Sequence, residues 1–569
     1  MARIRQIEIV NFRCIQLLKW SPSPGINCLI GPGDTGKSSI LDAIDFCLSA
    51  RRSLQITDAD FCHLDVARPI VITVTVGELD ANLKSMEAYG IYLRGFDPAT
   101  GIVEDEPGAR VETVLSIRLT VNGDLDPVWT LVSDRAKDIG QSRFLTWSDR
   151  ARIAPVRVGA LADYNLAWRR GSVLNRLSGE RPEMAAALAD AARLARSAFG
   201  DQADVQLGET LRIVESTATE LGIPIGNGLK AMLDAHSVSF SGGTIALHGS
   251  DGVPLRALGV GSTRLLLAGL QRKASEQSTV VLIDELEHGL EPHRILRLLG
   301  SIGAKEVQPP LQAFITTHSP VTLRELRGEQ LHVVRKADGH HSLKIVGSND
   351  AIQGTIRVCP EAFLATSVIV CEGASEVGLL RGLDLYHADR GNPTLSAAGI
   401  AWVDARGVDQ IYARASAFQS LGYRVAVLRD DDVRPKRDDE SAFMAGGGTI
   451  FKWREGCALE DELFIGLSDE AVHRLLDRAV ALLDQSLVDE HIRSASSGEF
   501  TYAACIAGLN VDLRKTLGAA SRSKRGAWFK SVTRMEDATR EIVFPNLATA
   551  DAVFRGTIAS LEQWIFSGT

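Results

Sequence analysis

The chain has 569 residues, 45% hydrophobic and 23% charged, with 62 Lys and Arg against 71 Asp and Glu and a formal net charge of −9. That length suggests roughly three or four packed units, and the ordinary composition excludes a disordered, fibrous or histone-like chain while leaving room for a local basic groove. Eight cysteines without a Cys-x-x-Cys pair, and no apolar run of about 18 residues, lead us to expect a soluble cytoplasmic protein with reduced thiols and no membrane segment.

The first predicted strand carries Ile4, Ile7 and Ile9, and a second apolar run from Ile26 to Ile30 stops at Gly31. From Lys37 the period changes, with Ile40, Leu41, Ile44, Cys47 and Leu48 on one helical face. Residues 70–76 and 112–120 are β-branched and alternate, as an antiparallel sheet requires. Between 172 and 222, two sets at helical spacing (Met184, Leu188, Ala191, Ala195, Ala198; then Leu211, Val214, Ala218, Leu221), with Pro182 before the first and Gly200 after it, predict a helical hairpin or small helical insert. A second β/α series runs from Val280 to about residue 350, and a third begins at Val368.

Gly31-Pro-Gly33-Asp-Thr-Gly36-Lys37-Ser38 fits G-x-x-x-x-G-K-[ST] between a strand and a helix. Glycines there let backbone N–H groups curl around phosphate oxygens, Lys37 reaches the terminal phosphates, and Ser38, followed by Ser39, offers a hydroxyl to Mg²⁺. Val280-Val-Leu-Ile-Asp284-Glu285 supplies the complement: Asp284 to orient the metal and Glu285 to position or deprotonate water.

These motifs resemble the ATP-binding-cassette (ABC) ATPases, in the branch of SMC-like and RecF-like proteins. By that resemblance Asn11-Phe12-Arg13 is the opening turn, whose arginine approaches nucleotide phosphate. Leu258-Gly259-Val260-Gly261-Ser262 stands where the family has its L-S-G-G-Q signature but lacks the first serine and the glutamine, which puts contact with a second subunit's ATP in doubt. Gly289-Leu290-Glu291 is similar to the D-loop and Thr317-His318-Ser319 to the switch histidine; Gln55 is a weak Q-loop candidate. Such heads work as composite dimers, so a homodimer or higher homo-oligomer is implied, and the insert serves dimerisation or plain packing.

Further on, Val368-Ile-Val-Cys371 leads into Glu372-Gly373-Ala-Ser-Glu376, and Arg424-Val-Ala-Val-Leu-Arg429 leads into Asp430-Asp-Asp432. Hard oxygen donors converging without Cys or His favour Mg²⁺ or Mn²⁺, with Ca²⁺ a further candidate. The ordered pair E-G-x-x-E and D-x-D resembles the Toprim domain of topoisomerases, primases and OLD-family nucleases, and Glu372, Glu376, Asp430 and Asp432 are the predicted ligands. An ABC head with a C-terminal Toprim domain resembles the OLD (overcoming lysogenization defect) nucleases, including the nuclease of Gabija-type defence systems.

The resemblance implies an α/β chain divided as 1–171 and 231–355 for the head, 172–230 for the insert and 356–569 for the Toprim domain with its helical extension. It also implies a later acid, Glu460, with Asp461 and Glu462 as competitors, and a lysine, Lys524 or Lys530, the latter favoured beside Trp528 and Phe529. Asp404 is expected to cap a turn, and Arg434, Lys436 and Arg437 could grip phosphates. The expected activity is metal-dependent DNA cleavage coupled to an ATPase, in phage defence or DNA repair, with a UvrD-type helicase as the partner the resemblance suggests. The alternative is a RecF/SMC-like DNA clamp without nuclease activity. The seven tyrosines sit in no recognisable nucleophile-bearing domain, which disfavours a topoisomerase.

Overall fold

A computed structural model describes residues 2–50, 54–158, 166, 172–177, 185–220, 231, 247–250, 252–274, 279–337, 340–348 and 350–567. Two compact units emerge: Met1–Cys28, Gly36–Thr317 and Gly339–His341 form one, and Leu29–Thr35, His318–Asp338 and Ser342–Thr569 the other. Among the described residues no helix is long and apolar enough to cross a membrane.

The first unit is built on β1 (Arg3–Phe12), β2 (Ile15–Trp20), β3 (Ile26–Ile30), β4 (Ile70–Gly77), β5 (Leu93–Asp97), β6 (Ile102–Glu104), β7 (Glu112–Val121), β8 (Pro127–Leu131), β9 (Val156–Val158), β10 (Val280–Ile283) and β11 (Gln312–Thr316). One stretch is antiparallel in the order β6-β5-β7-β4-β1-β2; the other runs β3-β11-β10-β9, with β10 parallel to both neighbours. The sheet is thus mixed, and its composition follows its burial. β10 is buried along its whole length and reads as a continuous apolar run, β11 is buried with an apolar centre of Ala313, Phe314 and Ile315, and the second half of β7 alternates between buried and half-buried residues. Helix Lys37–Leu48 buries Ile40, Leu41, Ile44, Cys47 and Leu48, the face its periodicity specifies.

The predicted hairpin takes a different form. A single 36-residue helix runs Ala185–Glu220, with Gly200 in its interior. One glycine costs only about 1 kcal/mol in a helix, too little by itself to end this one. Pro182, Met184 and Leu221 lie outside the described residues.

In the second unit, β12 (Leu331–Ala337) and β13 (His340–Ile345) precede β14 (Ser367–Cys371), β15 (Ile400–Asp404), β16 (Arg424–Arg429) and β17 (Thr449–Lys452). The last four make a parallel sheet in the order β15-β14-β16-β17, with helices Ala374–Asp389 and Val408–Ser420 as crossovers. Because the chain leaves β14 toward one side and later returns to its other side as β16, the carboxyl ends of β14 and β16 flank a topological switch point, where open α/β sheets place ligands. The core continues from Ile369, Leu380 and Leu428 into the C-terminal helices through Leu463, Trp528, Phe529, Met535 and Phe554.

Candidate functional site

The predicted residues fall into two groups, one around Lys37 and Asp284 and one around Glu372 and Asp430. In the first, Lys37 opens its helix and is buried, next to Gly36, whose φ of 84° favours a glycine. Gly31 also has a positive φ, of 130°, and nothing lies within 4 Å of a Cβ built on Gly33. Asp284, at the end of β10, accepts hydrogen bonds from Ser38 Oγ at 2.9 Å and Thr316 Oγ1 at 2.6 Å, and Arg157 Nη2 lies 3.4 Å from its other oxygen. Ser39 follows, its hydroxyl 3.9 Å from Cys14 Sγ.

The next residue, Glu285, has an exposed side chain and a φ of 47°, with its N–H donating to Thr316 Oγ1 at 2.8 Å. The buried Arg264 clamps this turn, donating to the carbonyl oxygens of Glu285 at 2.6 Å and Asp284 at 3.3 Å. Sequence reading missed Arg157, Arg264 and Thr316; none of them lies in a motif that would flag it.

Arg13 is engaged by carboxylates, paired with Asp42 and, at 2.9 Å, with Asp60. Gly261 sits in the first turn of helix Val260–Lys273, where a Cβ would meet the Gly289 carbonyl oxygen at 2.2 Å, so the signature-like and D-loop-like segments pack directly on each other. His318, two residues past β11, is exposed.

In the second unit, Glu372 directly follows β14 and Asp430 directly follows β16. One oxygen from each of Glu372, Asp430 and Asp432 lies within 4.8 Å of the other two, a cup of three carboxylates. Each carboxylate also has an oxygen held by a donor. Asp430 N–H donates to Glu372 Oε2 at 3.1 Å, Leu459 N–H to Asp430 Oδ1 at 2.8 Å, and Arg522 Nη1 to Asp432 Oδ2 at 2.9 Å.

Behind the cup, Glu376 is buried in the first turn of its helix. Its Oε2 accepts from Gly373 N–H at 3.0 Å, while Oε1 is buried without a hydrogen-bond donor. Glu460, equally buried, accepts from Ser375 Oγ at 2.7 Å. Neither belongs to the trio, yet both act on it electrostatically: burial, then the charges of Glu460 and Glu372, push the Asp430 carboxyl up to about 7. Burial followed by Asp430 and Glu460 drives Glu376 well above the carboxylate range. Glu372 is also raised, chiefly by burial; the hydrogen bond from Asp430 N–H, Arg429 and Lys530 oppose the shift, and Asp432 adds to it.

The remaining acids serve other partners. Asp431 pairs with the buried Arg429 at 3.0 Å, Asp461 with Arg522 at 2.9 Å, and Glu462 with Arg454 at 3.2 Å. Asp404 ends β15 but accepts from Arg406 N–H at 2.7 Å, an Asx turn. Arg434 pairs with Glu455 at 2.9 Å, both exposed. Both lysines, Lys524 and Lys530, are exposed, but Lys530 acts on Glu372 electrostatically and follows the buried Trp528 and Phe529. Arg522 and Ser375 were missed by sequence reading; an arginine at a helix C-terminus looks like any other favourable dipole partner.

Comparison with known proteins agrees with this arrangement. Residues 26–324 match the family described as "AAA domain, putative AbiEii toxin, Type IV TA system", and residues 363–432 match "Overcoming lysogenization defect protein-like, TOPRIM domain". An OLD nuclease of Thermus scotoductus is 25% identical over 480 residues, 77% of this chain and 84% of its own. The RecF protein of Prosthecochloris aestuarii is 43% identical over 56 residues, 10% of this chain and 15% of its own. Among solved structures, an SMC head bound to the C-winged helix domain of ScpA is similar over 60% of this chain and 96% of that one, at 17% identity and a TM-score of 0.35. The chain therefore belongs to that AAA-domain family through its ATPase head and, with its OLD-like Toprim domain, is a homologue of the OLD nuclease.

Proposed function

We propose that the chain cleaves DNA phosphodiesters by metal-dependent hydrolysis at Glu372, Asp430 and Asp432, as an endonuclease or nickase, and that its ATPase head regulates or drives that cleavage. The observation that carries this reading is the cup itself: three carboxylates from two strand ends, each with one oxygen held by a donor. The donor set fits a divalent metal. It is all oxygen, as Mg²⁺ and Mn²⁺ prefer, and the buried Oε1 of Glu376, which meets no hydrogen-bond donor, lies behind it. Glu372, Asp430 and Asp432 are the proposed first ligands, with Glu376 and Glu460 available to a second ion.

Divalent ions at such a site supply Lewis-acid polarisation of a phosphate and activation of water. The protein's part is to orient the ligands through fixed N–H donors and to bring the Lys530 ammonium toward negative charge gathering on the phosphate. In the head, Lys37 and the loop N–H groups would hold the ATP phosphates, and Ser38 and Asp284 would hold Mg²⁺. Glu285 would orient water, with His318 and Arg13 near the phosphates; Arg13 must then exchange at least one of its aspartates. A homodimer with DNA as substrate completes the reading.

Plasmid nicking in Mg²⁺, in Mn²⁺ and in EDTA tests it. Divalent-dependent nicking that disappears in Glu372→Ala and Asp432→Ala, with each variant still folded, is the expected result. Undiminished nicking in those variants refutes the assignment, and absence of nicking in the native chain leaves only a RecF/SMC-like clamp.

A further inference from the structure

The three donors that hold the cup differ in kind. Those on Glu372 and Asp430 are backbone N–H groups, fixed by the sheet and by the start of helix Leu459–Gly466. The donor on Asp432 is a side chain from a position 90 residues later, at the C-terminal end of helix Val511–Ser521. Asp432 needs the extra hold. It lies beyond the end of β16, on a loop, and is the most exposed of the trio.

Arg522 is itself fixed. Its Nη1 donates to Asp432 Oδ2 at 2.9 Å and its Nη2 reaches Asp461 Oδ2 at 2.9 Å, so one planar fork spans two carboxylates. Asp461 is in turn anchored: it is buried, it accepts from Ala458 N–H at 3.0 Å, and it packs on Gly518 so closely that a Cβ there would meet Asp461 Oδ1 at 2.5 Å. Asp461, Arg522 and Asp432 form a relay from the packed helix to the most exposed edge of the cup.

We infer that Arg522 is a positioning residue for the metal site: by holding Oδ2 of Asp432 it presents the other oxygen to a divalent cation, and Asp461 keeps the arginine in place. This rests on the metal reading above. Arg522 thus differs in role from a cation that grips DNA and from one that competes with metal for Asp432, and the three roles predict different behaviour.

The test is Mn²⁺ binding to the full chain by isothermal titration calorimetry, with Asp432→Ala as the baseline for other Mn²⁺ sites, alongside nicking across Mn²⁺ concentration. Loss of the hydrogen-bond partner of a ligating carboxylate typically weakens metal binding ~10–100-fold, and Arg522→Gln is expected to show that loss. Nicking at limiting Mn²⁺ should fall with it and recover at saturating Mn²⁺, which a folding defect would not do. Arg522→Lys, able to reach one carboxylate but not to span both, should fall between the two, and Asp461→Asn should weaken Mn²⁺ in the same direction. Unchanged Mn²⁺ affinity in Arg522→Gln with a raised KM for DNA makes the arginine a DNA contact and overturns the inference. Tighter Mn²⁺ binding makes it a competitor and does the same. If the native chain binds no more Mn²⁺ than Asp432→Ala, the metal reading itself falls, and the inference with it.

Discussion

At the end of β10, Asp284 is met by donors: two hydroxyls and, at longer range, a guanidinium. At the end of β14, Glu372 meets other acids: burial, then the charges of Glu460 and Glu372, push Asp430 up to about 7, and burial, then Asp430 and Glu460, push Glu376 well above the carboxylate range. The first site is compensated by the protein alone and suits a ligand that brings its own charge, as a nucleotide with its metal does. The second has a charge deficit that only protons or cations can fill. Perturbed carboxylates tend to cluster at functional sites, and here they distinguish the cup proposed to hold cations from the loop proposed to hold a phosphate chain.

The sharpest way to break this contrast is to disable each site alone. Lys37→Ala should abolish ATP hydrolysis, a loss of ~10³-fold or more if the lysine stabilises the transferring phosphoryl group, while Mn²⁺ binding at the cup is retained. Glu372→Ala should do the reverse, with ATPase rates within about twofold of native if the sites are chemically separate. Phosphate release and Mn²⁺ calorimetry on both variants decide it; loss of both functions in either variant would mean one merged site.

How much of this was legible in advance depended on chain distance. The phosphate loop is contiguous, so its glycines, Lys37 and Ser38 can be read as one motif, and Asp284 stands out because four buried apolar residues end abruptly in acid. The cup is assembled from residues 58 positions apart, and strand-end logic sufficed for Glu372 and Asp430, since a parallel sheet brings its carboxyl ends together. The D-x-D spacing also picked Asp430 and Asp432 over Asp431, which turns back to Arg429, but no pattern could find Arg522 at 90 residues' remove. The long helix was misdivided for a related reason: glycine propensity is a local preference of about 1 kcal/mol, and Gly200 lies inside a helix that overrides it.

A second test uses the charge deficit directly. The folded value of Asp430, about 7, exceeds the unfolded value of ~3.9. The metal-free protein therefore has this contribution in full below pH ~4 and loses it progressively as pH rises through about 7. Melting temperature relative to Asp430→Asn, which cannot titrate there, should fall across that window, and Mn²⁺ should raise the native protein's melting temperature but not the variant's. A native stability that climbs with pH relative to the variant would show that the cup is already compensated.

At the compensated site the expected effect is smaller. Thr316→Val removes one of two hydroxyls on Asp284 and the acceptor for Glu285 N–H. Leaving that N–H unpaired should cost about 1–3 kcal/mol and should lower kcat for ATP more than it raises KM, since Thr316 holds the Asp284 carboxylate and the Glu285 backbone N–H. Thermal melting and steady-state ATPase measurements check both; an unchanged kcat would mean that Ser38 and Arg157 alone orient Asp284.

The smallest effect belongs to the acid that shares the cup's address but not its chemistry. Asp404 ends β15, beside β14, and in register Cys371 is opposite it, so strand-end position alone would make it a ligand. Its Oδ1 instead accepts from Arg406 N–H at 2.7 Å, within its own turn, and Asp404 is not among the three carboxylates whose oxygens gather within 4.8 Å. Asp404→Asn keeps an acceptor for that N–H and removes only a charge, so stability should change by less than about 0.5 kcal/mol, and Mn²⁺ affinity should stay within about twofold of native. If Asp404→Asn weakened Mn²⁺ as strongly as Asp432→Ala, the cup would extend across β15, and position at a strand end, more than the donor held on each carboxylate, would be what makes a ligand in this fold.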